Sequence, residues 1–463
     1  MDLDGTLFKT DTLPELIISI LKKSPLIIFK FPFWLYSGKA YFKKRVSNHV
    51  EVNFDMLPQN KEFINFLSKE KENGRQLILA TGSSEKIAKQ AFNFFAIFDK
   101  FISSDDQTNL TGKNKLQRII QENGSKLSFS YAGNSKQDLT IWKKSEEVIL
   151  VNYTKSTADR VDSYGKKILK FSLSSPLNFL CRSFRIHQWI KNTLIFVPLI
   201  VSHRFLEIEL LFQSFLGFLS FCLCASSGYL INDLLDLNAD RSHVSKSKRP
   251  LASGDLPLSW GIISIPSLFL GGMLIAIYQS PSLFLVVGFY YISSCSYSLF
   301  FKKIIGLDIA ILAILYTIRI YAGSLCTGIE ISSWLLCFSL FLFCSLALLK
   351  RFTELNALSN KDQILRRSYS TQHMKAILLL GLFSIIGSVL VLIFYILSTD
   401  ATSLYQNWFI LWLIVPLFGY SISRMWFFAH QNKMDQDPVA FAINDRTTVV
   451  SVLLSTVILI CAK

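Results

Sequence analysis

The chain reads as a two-part protein. An α/β region with a parallel sheet covers residues 1–155, a basic linker 156–185, and an all-α, polytopic membrane region 186–463. Three observations predict this. Hydropathy splits the 463 residues unequally, mixed to about residue 175 and mostly apolar from 190 onward. In the first third, short apolar runs alternate with helical segments, the pattern of parallel strands joined by helices. Nine apolar runs of about membrane length follow, separated by charged loops. The net charge of +15 comes with 51% hydrophobic residues, so it is read as topology and argues against nucleic acid as a partner. The eight cysteines lack metal-ligand spacing and read as reduced packing residues.

The first element is the motif D-L-D-G-T-L at residues 2–7, with no signal peptide before it. Such a motif ordinarily follows a buried strand, so the expectation is a late start or a missing first strand. Residues 76–80 read as a buried strand running into Thr81-Gly82-Ser83. Residues 112–115, G-K-N-K, open a helix, and 129–132 form a second strand leading into G-N-S-K-Q-D at 133–138. Alternating strands and helices imply a Rossmann-like parallel sheet with its chemistry at the carboxyl ends of the strands.

Those four ordered motifs resemble the haloacid dehalogenase-type phosphohydrolases over about residues 1–155. The resemblance implies that Asp2 is a nucleophile and Asp4 a general acid/base. It also implies that Thr81 and Lys115 hold a phosphoryl group, with Lys113 a rival for Lys115. Asp2, Asp4 and Asp138 would hold Mg²⁺. Chemically, a carboxylate approaches a phosphate dianion only if Mg²⁺ and lysine cancel charge. Asn134 departs from the family pattern, leaving Asp138 to carry that part of the metal site. A degenerate, structural domain is the alternative.

Residues 8–70 form an insertion of helical character, the expected cap. Residues 24–36, S-P-L-I-I-F-K-F-P-F-W-L-Y, are too short and proline-broken to cross a bilayer. They read either as a segment lying on a membrane surface or as the core of the cap. The linker carries Lys155, Arg160, Lys166, Lys167 and Lys170 and is expected along headgroups. The expected spans are roughly 190–202, 209–231, 261–279, 282–300, 307–324, 333–349, 376–397, 407–428 and 446–462. Fifteen Lys and Arg fall in the loops on one side, against Arg204 alone on the other. The positive-inside rule makes the rich side cytoplasmic, shared by the N-terminal region, in a bacterial inner (plasma) membrane.

The stretch at 232–254, N-D-L-L-D-L-N-A-D-R-S-H-V-S-K-S-K-R-P-L-A-S-G, lies on that side between two apolar runs. Asp233, Asp236 and Asp240 recur at i, i+3 and i+7, one face of a helix, joined by Asn232 four residues before Asp236. Oxygen donors of this kind suit Mg²⁺, which commonly binds one or two carboxylates together with substrate phosphates. Arg241, Lys246 and Arg249 follow and can neutralise phosphate oxygens. The pattern points to a metal–diphosphate site; a solvated basic loop is the alternative. Other polar residues gather on the same side: Lys191, Asp308, Arg319, Lys350, Arg351 and Asp445. Asp308 and Arg319 lie three helical turns apart on one face. Arg319 sits well inside an apolar run, where a charge is costly unless paired or bound to ligand. Singly, each of these residues reads as an interfacial anchor or helix-end pair.

Nine spans with N-D-x-x-D-x-x-x-D between the second and third resemble the UbiA-type intramembrane prenyltransferases, over about 180–463. The motifs R-I-H-Q-W-I-K-N, D-R-x-H, R-P-x-A-S-G, R-x-x-A-G, K-R-x-x-E-L and D-P-V-x-F-A-x-x-D-R resemble its decaprenyl-phosphate phosphoribosyltransferase branch. Val244 stands where that branch usually has proline. The resemblance implies transfer of ribose 5-phosphate from phosphoribosyl diphosphate to a polyprenyl phosphate, with Mg²⁺ on the aspartates. One acid between Lys302 and Arg319 agrees with it, since a second acid-rich motif is usual in ordinary prenyltransferases. The N-terminal region would then remove the phosphate from the lipid-linked product. The rivals are a prenyl diphosphate-dependent aromatic prenyltransferase and a membrane-tethered phosphatase with a lipid-binding helical half.

Overall fold

The computed structural model describes all residues except 106–107, 124–127, 174, 360–368 and 435–437. It divides into two compact units, Met1–Arg185 with Tyr229–Pro266, and Ile186–Gly228 with Ser267–Lys463.

In the first unit, β1 (Ile78–Ser84) pairs in parallel with β2 (Lys100–Ser104). β3 (Ser130–Gly133), β4 (Glu147–Tyr153) and β5 (Lys167–Leu173) pair in parallel in that order. Met1 and Asp2 lie between the two groups. The Met1 nitrogen donates to the Ile78 carbonyl at 2.9 Å, Ala80 N–H to the Met1 carbonyl at 2.8 Å, and Asp2 N–H to the Ala132 carbonyl at 3.0 Å. This is the parallel ladder pattern, and it sets Asp2 beside the chain leaving β1 and β3. Alternating residues of β1 and β4 feed apolar cores on both faces: Leu79, Ile149 and Val151 on one, Ala80, Val148 and Leu150 on the other. A sheet covered on both faces needs such near-continuous apolar strands.

The linker expectation fails at 155–173. Lys155–Asp162 is a helix and β5 completes the sheet. Ile168 faces one core while Leu169 and Phe171 face the other. This strand pattern is masked in sequence by Lys166, Lys167 and Lys170. The expected cap is helical, with Thr12–Lys23, Phe31–Tyr36, Lys39–His49 and Lys61–Glu72 as its α-helices. Its ends are clasped by Lys9 N–H to the Pro58 carbonyl at 2.8 Å and by Asn60 N–H to the Leu7 carbonyl at 2.9 Å.

Among the described residues, seven helices are long and apolar enough to cross a membrane: Ile208–Leu235, Leu258–Gln279, Pro281–Leu299, Leu307–Thr327, Ser333–Asn356, Met374–Ile396 and Trp408–His430. The last expected span appears as Pro438–Asn444 and Arg446–Ala462, bent by 79°. The first differs most from expectation. Residues 186–196 wind as a 3₁₀-helix, Ile186–Phe196, followed by the short α-helix Val197–Val201. Such long 3₁₀ runs have poor hydrogen-bond geometry and need packing support. Gly323 supplies it: a Cβ there would lie on the Ile195 carbonyl, so the glycine of R-x-x-A-G lets helix Leu307–Thr327 touch this backbone. The main core of this unit joins Leu348, Phe352, Ile377, Ile385 and Trp426.

Candidate active sites

The first unit holds two clusters. At the carboxyl ends of the strands, Lys115 donates to Asp2 Oδ2 at 2.8 Å and to the Tyr131 hydroxyl at 3.1 Å. Lys115 is buried and Lys113 exposed. Asp4 accepts from Thr12 N–H at 2.7 Å and from Ser83 Oγ at 2.6 Å. Thr81 is fully buried, its hydroxyl accepting Ser83 N–H at 3.1 Å. Asp138 accepts the Tyr131 hydroxyl at 3.1 Å, Ser135 N–H and Oγ at 3.0 Å, and Asn134 N–H at 3.3 Å. Gly5, at φ +68°, is required twice over: its conformation is left-handed, and a Cβ would collide with the Asn134 amide.

Lys115, Asp2, Tyr131 and Asp138 are thus joined by hydrogen bonds, with Asp4 held by Thr12 and Ser83. Burial pushes the Asp4 carboxyl up, with the Asp2 charge adding to it against the Ser83 bond. Burial likewise raises Asp138, again with Asp2 adding. Asp2 pairs with Lys115 and adds its charge against both Asp4 and Asp138, a negative excess that suits a divalent cation with oxygen preference. Sequence reasoning missed two members. Tyr131 ties Lys115 to Asp138. Lys43, from cap helix Lys39–His49, donates to the Gly82 carbonyl at 2.6 Å and Asn109 Oδ1 at 2.9 Å. Burial holds Lys43 below the ordinary lysine range, although Asp4 and Asp2 pull it upward. Its only signal in the sequence was a lysine-rich helix within the insertion.

The second cluster begins on the last turns of helix Ile208–Leu235, which carry Asn232 and Asp233. The helix breaks at Asp236, which precedes the short helix Leu237–Arg241. Asp233 and Asp240 are both buried, and one Arg249 nitrogen lies 3.0 Å from Asp233 and 2.5 Å from Asp240. Arg185 also donates to Asp233. The geometry thus converges two of the three aspartates, through a cation rather than along one helical face. Among the described residues no group of three His, Cys, Asp or Glu side chains converges as a metal cage. Two carboxylates completed by substrate phosphates is the ordinary Mg²⁺ arrangement, and the Arg249 guanidinium marks where the pair draws positive charge.

Arg241 is committed elsewhere. It grips Glu15 with two nitrogens, at 2.5 and 3.1 Å, and donates to the Ala252 carbonyl at 3.1 Å. Lys9 pairs with Asp255 at 3.1 Å. Arg241 therefore ties the acidic stretch to the first cap helix, a role absent from the sequence reading because Glu15 lies 226 positions away. Lys246 is exposed.

In the second unit, Arg319 is buried and spends each nitrogen separately. Nε donates to Asn192 Oδ1 at 2.7 Å, Nη2 to the Tyr290 hydroxyl at 3.0 Å, and Nη1 to the Leu315 carbonyl. The Tyr290 and Tyr316 rings flank it, with centroids at 4.7 and 5.5 Å. Asp308 shares no contact with Arg319. It accepts Arg351 Nε at 2.6 Å and the Tyr369 hydroxyl at 2.6 Å, while Arg351 also donates to Glu354 at 2.6 Å and Tyr297 at 2.7 Å. Asp445 caps helix Arg446–Ala462 through Thr448 and pairs with Arg424. Lys191 and Lys350 are half-buried. Asp437 of the same motif lies outside the described residues.

The profile of the UbiA prenyltransferase family matches residues 193–447. The protein y4nM of Sinorhizobium fredii is 33% identical over 455 residues, covering 96% of this chain and 87% of its own length. Nodulation protein NoeC of Azorhizobium caulinodans is 31% identical over 282 residues, 60% of this chain and 91% of its own. Decaprenyl-phosphate phosphoribosyltransferase of Mycolicibacterium smegmatis is 31% identical over 204 residues, 42% of this chain and 64% of its own. With its apolar helices and a family match across more than half its length, the chain is an integral membrane protein belonging to the UbiA prenyltransferase family.

Proposed function

We propose that the chain transfers ribose 5-phosphate from phosphoribosyl diphosphate to a polyprenyl phosphate at the cytoplasmic face of a bacterial inner membrane. The observation that carries this reading is the buried Asp233–Arg249–Asp240 cluster at the end of an apolar helix. Carboxylates and a guanidinium at a membrane helix end suit a substrate that brings both diphosphate and metal. The similarity to the Mycolicibacterium smegmatis enzyme over 204 residues supports the pentosyl donor.

Asp233 and Asp240 would hold Mg²⁺, which when bound neutralises charge on the departing diphosphate. Arg185 and Arg249, which bond these aspartates in the structure, would exchange that contact for the oxygens of the diphosphate. A lipid phosphate oxygen forms the bond to the anomeric carbon as the carbon–diphosphate bond breaks, so no protein nucleophile is needed. Lys246, in the same unit as this cluster, is a candidate cation for the lipid phosphate. Arg319, Arg351 and Asp308, already engaged by protein groups, position the helices.

The N-terminal sheet supports a second activity, hydrolysis of a phosphate monoester. Asp2 is the nucleophile, steadied by Lys115. Asp4, held by Ser83 and raised by burial, donates a proton to the leaving oxygen and later takes one from water. Asp2 and Asp138 would hold Mg²⁺ there. The ribose 5-phosphate of the lipid product is the natural substrate, because it cannot leave the bilayer and tethering raises its effective concentration.

Membranes containing the wild-type chain, Asp233→Asn or Asp2→Asn test both steps when given Mg²⁺, phosphoribosyl diphosphate and polyprenyl phosphate. Wild type is expected to make lipid-linked ribose, Asp2→Asn lipid-linked ribose 5-phosphate, and Asp233→Asn neither. Prenylation of an aromatic acceptor from a prenyl diphosphate, without pentose transfer, would overturn the transferase assignment. Identical lipid products from wild type and Asp2→Asn would overturn the phosphatase assignment.

A further inference from the structure

The insertion between Thr12 and His49 contains an apolar surface that neither proposed reaction uses. After helix Thr12–Lys23 the chain forms the 3₁₀-helix Pro25–Lys30 and then the helix Phe31–Tyr36. Ile27, Phe31 and Trp34 turn inward onto the core of the unit, Phe31 meeting Phe42 edge-on with centroids 5.5 Å apart and Trp34 meeting His49 at 5.2 Å. That inward row is the part a cap core accounts for. The opposite row is Leu26, Ile28, Phe29, Phe33, Leu35 and Tyr36, and it is exposed, with Phe29 at 71%, Phe33 at 74% and Tyr36 at 95%. Aromatic and aliphatic side chains this exposed, held rigid by an anchored inner row, are costly in water and mark an interaction surface.

Charge selects the occupant. From Leu16 to Val50 the sequence has no Asp or Glu, while Lys22, Lys23, Lys30, Lys39, Lys44 and Arg45 are all exposed. Lys22 and Lys23 precede the apolar row, Lys30 interrupts it and Lys39 follows it. An apolar strip carrying aromatics and bordered only by cations is the composition of a segment lying in the interface of an anionic bilayer. Its twelve residues, with Pro25 and Pro32, are too few and too interrupted to span one.

We infer that residues 25–36 are a membrane-surface anchor, the exposed apolar row entering the headgroup region of an anionic bilayer and the flanking lysines pairing with lipid phosphates. Anchoring at this point holds the cap, and with it Lys43 of the next helix, at the level of lipid headgroups. It also gives the insertion a purpose apart from closing over the sheet.

The test places an environment-sensitive fluorescent amino acid at Phe33 in the full chain, with Glu72 as an exposed control site, in nanodiscs of phosphatidylcholine alone or with phosphatidylglycerol. The expected result is a blue-shifted emission at position 33, quenched by brominated acyl chains and protected from iodide, stronger with phosphatidylglycerol and absent at position 72. Replacing Lys22, Lys23, Lys30 and Lys39 together by Gln, all exposed and so compatible with folding, should remove the phosphatidylglycerol dependence. Emission at 33 that iodide quenches as well as at 72 overturns the inference. Protection from both quenchers, the sign of a protein contact or a second copy, overturns it equally.

Discussion

Arg319→Lys keeps the charge in the middle of helix Leu307–Thr327 but replaces a planar fork by a point. In the structure the three guanidinium nitrogens reach three separate groups, Asn192 Oδ1, the Tyr290 hydroxyl and the Leu315 carbonyl. An ammonium on a shorter, differently shaped stem reaches one of them well. Two hydrogen bonds from a buried cation are lost, each worth roughly 1.5–3 kcal/mol, so the cost is roughly 3–6 kcal/mol. For a unit of this size that lowers the thermal midpoint by on the order of 10 °C. The assay is thermal unfolding of purified protein in detergent, followed by fluorescence-detected size exclusion, alongside transfer kinetics below the midpoint. The structure predicts a lower midpoint with KM for lipid phosphate nearly unchanged in the folded fraction. An unchanged midpoint with a raised KM would show that phosphate oxygens, not Asn192 and Tyr290, are its working partners.

Asp233→Asn removes a buried carboxylate from the proposed Mg²⁺–diphosphate site, and losing several kcal/mol of charge stabilisation should reduce transfer by roughly a hundredfold or more, measured with radiolabelled donor. Chelation with EDTA should abolish both activities and added Mg²⁺ restore them, read by the same assay. Glu15→Gln strands the buried Arg241 guanidinium and should cost about 3–5 kcal/mol, whereas Glu15→Leu with Arg241→Leu should recover much of it, measured by chemical denaturation of the full chain. Lys43→Met removes a cap cation facing Asp2 and Asp4; one charge-assisted contact to a phosphate is worth roughly 1.5–3 kcal/mol. The variant should raise KM for a phosphate monoester by roughly tenfold or more, with less change in kcat.

Local pattern carried far in this chain. The motif order put Asp2, Lys115 and Asp138 at the carboxyl ends of parallel strands, where Lys115 bonds Asp2 and Tyr131 and Tyr131 bonds Asp138, because parallel strands deliver their carboxyl ends to one place whatever the loop lengths. Strand β5 was hidden because its lysines outweigh Ile168, Leu169 and Phe171 in composition, although their alternation is that of a strand. The acidic stretch was legible as a cluster but not as a geometry. Helical spacing predicts three aspartates in line, whereas the helix breaks at Asp236 and Arg249 folds back to join Asp233 with Asp240. Pairings such as Glu15 with Arg241, or Asp308 with Arg351 and Tyr369, have no signal in a single sequence, since nothing local to either partner names the other. The shared helix face of Asp308 and Arg319 likewise says nothing of their separate partners, Arg351 and Tyr369 for the one, Asn192 and Tyr290 for the other. The first expected span was read from hydropathy alone, and hydropathy does not distinguish an α-helix from the 3₁₀ turn that Gly323 accommodates.

Pentosyl transfer is read directly by mass spectrometry of the lipid made by purified, reconstituted Asp2→Asn protein from phosphoribosyl diphosphate, a polyprenyl phosphate and Mg²⁺. The expected product is a lipid heavier than the acceptor by one ribose 5-phosphate, with diphosphate released in equal amount. Unchanged lipid under these conditions, from protein that prenylates an aromatic acceptor when given a prenyl diphosphate, would contradict it.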